Sequence, residues 1–100
     1  MPYIEQEDRP PIDKLLEPLA NEIKFQGKKT PISSLGQLGP LNYAITRLLI
    51  LTCPSKRYAS FVLVIGTLFM VAFEFYRRVI ARYEDKKIQE NGDVGYDEIK

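Results

Sequence analysis

The sequence holds no histidine, no tryptophan and a single cysteine, Cys53. Without histidine there is no Ser-His-Asp or Cys-His catalysis, and no ordinary zinc site. Any metal would have to rest on carboxylates, which favours Mg²⁺ or Mn²⁺. One cysteine excludes a disulfide framework and points to a reducing compartment. With no base to activate it, Cys53 reads as a small apolar side chain. An excess of either charge is also lacking, with 14 basic residues against 13 acidic ones. A net charge of +1 gives no global field to draw nucleic acid or a membrane surface. The opening MPYIEQEDRPP is acidic with no apolar run, so it does not read as a signal peptide. No stretch alternates with period two, so no strand is expected.

What is present is helical and apolar. Ser55 to Asn91 reads as one long helix, with Ser55 as its cap and Asn91-Gly92 as its end through a left-handed residue. No residue from Ala59 to Phe73 is charged, whereas the second half carries dense charge of both signs. Upstream, Pro10 and Pro11 open a first helix capped by Asp8. Its stripe is Ile12, Leu15, Leu16, Leu19 and Ile23. Pro18 inside it removes a backbone hydrogen bond, so a kink or break is expected there, with Gly27 as the stop. Phe25 to Gly39 reads as a connection that Ile32, Leu35 and Leu38 pin to the core. A second helix runs from Pro40 to the stop at Pro54.

The expected fold is all-α: three main helices, the last one long. The expected organisation is a single helical domain over 1–100. Residues 1–9 are an extended N-terminus, 26–39 a loop or insertion, and 92–100 an acidic tail.

The segments MPYIEQEDR, LNYAITRLL and EFYRRVIARYEDKKIQENGDV together resemble a family of short prokaryotic and phage proteins defined as a domain of unknown function. Its members share an MPYI start, an LNY-IT segment and an EFYRR…YED-K…NGDV ending. The resemblance covers most of the chain outside roughly Phe25 to Gly39. It implies a small soluble helical protein and brings no activity, substrate or cofactor with it.

The densest functional groups lie in the charged half of the long helix. Glu74, Arg78, Arg82 and Lys86 are spaced by four and share a face. Glu74–Arg78 and Arg82–Asp85 are ready pairs along the helix. Because acids interleave with bases, a solvated, salt-bridged face is favoured over a phosphate or nucleic-acid stripe. Glu74, between Phe73 and Phe75, needs a partner if it is partly covered. The candidate polar network is therefore Arg47, Glu74, Arg77, Arg78, Arg82 and Asp85.

Small all-helical nucleotide pyrophosphohydrolases resemble the chain in size, but they gather Mg²⁺ on paired E-x-x-E and E-x-x-D motifs. Here Glu17 and Glu22 are five apart and Glu84 and Asp85 are adjacent. That enzyme stands as a weak alternative, and no cofactor or metal is expected. The tail NGDVGYDE lacks the glycine position and closing glutamate of a calcium loop.

The favoured function is a non-enzymatic, cytoplasmic module for self-association or partner binding. Phe61, Leu63, Phe69, Phe73, Tyr76 and Ile80 are left without intramolecular cover, and they mark the candidate interface of a homodimer. A membrane span over 58–76 is the alternative. Tyr58 to Phe73 is short of the roughly 30 Å hydrocarbon core, and reaching Tyr76 brings in Glu74, so a buried soluble helix is the stronger expectation.

Overall fold

The structure is a computed structural model, and it describes residues 4–29 and 37–99. Among those residues every regular element is a helix. The chain divides into two compact units, Met1–Thr52 and Cys53–Lys100.

The first unit is a helical hairpin. A short 3₁₀ turn, Gln6–Asp8, leads into α1, Arg9–Gly27. Helical structure thus begins inside the stretch expected to be extended. The Arg9 guanidinium helps to fold this start back by donating to the Ile4 carbonyl at 3.2 Å. Asp8 occupies the cap position, but its side chain makes no capping bond. Pro10 and Pro11 sit in the first turn, where a missing N–H costs nothing.

α1 continues unbroken through Pro18. The break expected there does not form, because one proline removes a single bond while the turns on either side keep theirs. The helix ends at Gly27, but not by a left-handed cap: Lys28 follows in right-handed helical conformation. Gly27 is needed for space. A Cβ there would lie 3.1 Å from the Gln37 nitrogen, where the returning chain crosses.

α2, Leu38–Thr52, starts two residues ahead of Pro40 and packs on α1. Since the helices meet at Gly27 and Gln37 and pack along their sides, they run antiparallel. The expected anchors Ile32 and Leu35 lie outside the described residues. Leu38 is exposed.

The second unit is built on one continuous helix with a bulge, followed by a 3₁₀ turn at Tyr96–Glu98. α3 covers Tyr58–Phe75, a π-helical segment covers Tyr76–Ile80, and α4 covers Ala81–Asn91. The start falls three residues after Ser55, with Arg57 in the cap position. Ser55 still serves the helix entrance. Its hydroxyl accepts from the Arg57 N–H at 3.4 Å and pairs with the Ser60 hydroxyl at 2.6 Å. Cys53 is half-buried, and its thiol donates to the Ser55 carbonyl at 3.4 Å. Gly92 closes the helix at φ 85°, with its N–H on the Ile88 carbonyl at 2.7 Å. A backbone at that φ is open to glycine and strained for most other residues.

Among the described residues no hydrophobic side chain is buried; the one buried polar side chain is Ser60.

Candidate functional site

The feature that most needs a physical explanation is α3. On an α-helix each residue turns about 100° from the last, so three consecutive residues reach most of the way round. Phe69, Met70 and Val71 are 57%, 64% and 60% exposed. Phe61, Val62 and Leu63, two turns earlier, are about as open. The exposed apolar surface therefore encircles α3 and is not confined to a stripe.

The six residues expected at an interface are all exposed, but they do not form one face. Phe61 and Leu63 point about 200° apart. Phe69 and Phe73 share a face, their rings stacked with centroids 6.0 Å apart. Tyr76 and Ile80 follow on the π segment.

Ser60, Thr67 and Glu74 of α3 find their partners inside the chain. The Thr67 hydroxyl donates to the Leu63 carbonyl at 2.8 Å, and Ser60 is held by Ser55. Glu74, near the C-terminal end, is bound by two arginines. Arg77 reaches it at 3.0 Å and Arg78 at 3.5 Å. The Glu74 side chain is 28% exposed, while those of Arg77 and Arg78 are 72% and 53% exposed. The carboxylate thus sits under a lid of guanidinium groups that face outward.

Of the expected polar network, Glu74, Arg77 and Arg78 come together. Among the described residues no ion pair joins Arg82 to Asp85. Arg47 belongs to the other unit, on α2, where it lines a groove with Glu22. The pairs near Glu74 are solvent-screened, so they contribute little. Glu74→Ala should accordingly shift stability by less than about 1 kcal/mol in a thermal or urea melt. A loss several times larger would mean that the carboxylate organises more of the helix than its two arginines.

One contact does not follow from ordinary helical spacing. The Tyr76 hydroxyl donates to Glu84 Oε1 at 2.6 Å, eight residues along. On a straight α-helix those positions are about 80° apart. The π segment between them adds a residue to the turn and rotates them back into line. Lys87 pairs with Glu90 at 3.2 Å and lies 5.6 Å from the Tyr83 ring centroid. The charged half is thus a set of local pairs. Among the described residues no group of three carboxylate or thiol side chains is arranged to hold a metal. Asp93 of the tail accepts from the neighbouring Val94 N–H at 2.6 Å.

The family described as domain of unknown function (DUF6899) matches residues 1–94, nearly the whole chain. The chain belongs to the DUF6899 family. No curated protein and no solved structure matches it. Within this DUF6899 protein the match takes in both units, the encircling apolar surface of α3 and the π segment after it. The family is defined without a function, so membership attaches no activity to any of these features.

Proposed function

We propose that α3 crosses a lipid bilayer once, and that the protein is a non-enzymatic, membrane-anchored helical module. The carrying observation is the apolar surface exposed round the whole helix. A helix that is apolar on every side needs an apolar surround on every side. One partner helix covers a stripe, whereas lipid covers the circumference.

Three further features support the reading. The 18 residues of α3 at about 1.5 Å each span about 27 Å, close to the roughly 30 Å hydrocarbon core. Tyrosines stand at its ends, Tyr58 at its first position and Tyr76 just past its last, where headgroups favour amphipathic rings. Lys56 and Arg57 precede it, and Arg77 and Arg78 follow it. Glu74 was the residue that favoured a soluble helix from the sequence. It lies at the membrane edge on this reading, and its arginine lid can reach outward to the interface.

Fractionation tests the proposal. The chain should pellet with membranes, resist high salt and alkaline carbonate, and enter solution only with detergent. Recovery in the soluble fraction without detergent would sink it. In that event the second reading applies, a cytoplasmic homodimer. It rests on the Phe69–Phe73 ring stack and the adjoining Tyr76 and Ile80.

A further inference from the structure

The hairpin of α1 and α2 has its own uncovered surface, on the other unit. Leu19 and Ile23 on α1 face Ala44 and Leu48 on α2 across a groove of about 630 Å³. Two helices form one layer only, and a helical layer becomes a core when a second layer covers it. The groove carries one acid and one base, Glu22 on α1 and Arg47 on α2. Gln26 Nε2 holds the Glu22 carboxylate at 3.0 Å. Among the described residues neither Glu22 nor Arg47 enters an ion pair.

We propose that the occupant of this groove is a second copy of the same hairpin, giving a two-fold four-helix bundle. The charges select this occupant. A two-fold axis running along the groove sets α1 of each copy on α2 of the other. Counted from the Gly27–Gln37 approach, Glu22 of one copy and Arg47 of the other then stand about 7.5 Å apart along the helices, an offset the two long side chains span, and the pair forms twice. A two-fold interface must be self-complementary, and an acid on one helix with a base on the other makes it so. An uncharged or wholly acidic peptide would leave one of the two groups uncompensated, and such mismatches are penalised where water is excluded. Dimerisation through the hairpin does not depend on the bilayer reading of α3. It is measured in micelles if the chain needs detergent and in buffer if it does not, so the two fail separately.

The test is sedimentation of the full chain with exchanged charges. The wild-type chain should dimerise. Glu22→Arg alone, or Arg47→Glu alone, places like charges face to face and should weaken the dimer by about a hundredfold. The double variant Glu22→Arg, Arg47→Glu restores opposite pairs and should recover most of the affinity. Circular dichroism checks that each variant stays helical. If a single exchange loses helicity, the milder Glu22→Gln and Arg47→Gln replace it, each expected to weaken the dimer about tenfold. Phe69→Ala with Phe73→Ala should leave the dimer intact. A monomeric wild-type chain would overturn the proposal. So would singles that dimerise as well as wild type, a double variant that recovers nothing, or a dimer lost on changing Phe69 and Phe73.

Discussion

Replacing Ile65 and Phe69 together by arginine should move the chain out of the membrane fraction. Ten of the 18 residues of α3 are Leu, Ile, Val or Phe. At about 0.3–0.6 kcal/mol each they favour insertion by roughly 3–6 kcal/mol. Two arginines near the helix centre cost roughly 5–7 kcal/mol, and losing the two apolar side chains adds about 1 kcal/mol more. The balance changes sign. A single arginine would leave it close to even, so the double variant is the decisive one. Ile65→Leu with Phe69→Leu conserves the apolar character and should remain membrane-bound. The readout is the distribution between supernatant and pellet after alkaline extraction. A double-arginine chain held as firmly as wild type would rule out a span by α3.

The second large effect is expected at Gly27, in the hairpin. A Cβ at this position would press on Gln37, 3.1 Å from its nitrogen and 3.2 Å from its Cα. Those are backbone atoms and cannot simply rotate away. Gly27→Val adds two methyl groups beyond the Cβ, and overpacking of this kind costs about 1–3 kcal/mol. Any non-glycine residue also gains back part of glycine's helix penalty, up to about 1 kcal/mol, which β-branching reduces for valine. A net loss of about 1–2 kcal/mol should lower the melting temperature by roughly 4–16 °C for a unit of this size. Gly39, in the first turn of α2, is the control. Nothing lies within 4 Å of a Cβ built there, so Gly39→Ala should be neutral or should stabilise by up to about 1 kcal/mol. Equal melting temperatures for Gly27→Val and Gly39→Ala would show that the Gly27–Gln37 approach does not support the hairpin.

These two positions differ in how much the sequence says about them. The apolar run of α3 is visible as an absence of charge from Ala59 to Phe73. Gly27, however, reads as a helix stop, because glycine past the end of a periodic segment usually provides a left-handed residue. Its actual role depends on Gln37, ten positions away, and local patterns carry no information about that approach. Glu74 lies between these cases. Its pairing with Arg78 follows from a spacing of four, and that with Arg77 from a spacing of three.

The sequence by itself determined the all-helical class, the two shorter helices and the long C-terminal helix. Each rests on bonds and side-chain rows that repeat within four residues, so the chain writes them locally. It also determined which chemistries lack their reagents, since no fold can supply a histidine the chain does not contain. The continuity of α1 through Pro18 was decided by the balance between one lost bond and two intact flanks. The π segment, and with it the Tyr76–Glu84 bond, was decided by a change of helical pitch that puts positions eight apart in line. The division at Thr52 and the approach of Gly27 to Gln37 within the first unit depend on which segments meet and which do not. Burial belongs to pairs of distant segments, and so only the tertiary structure could settle it.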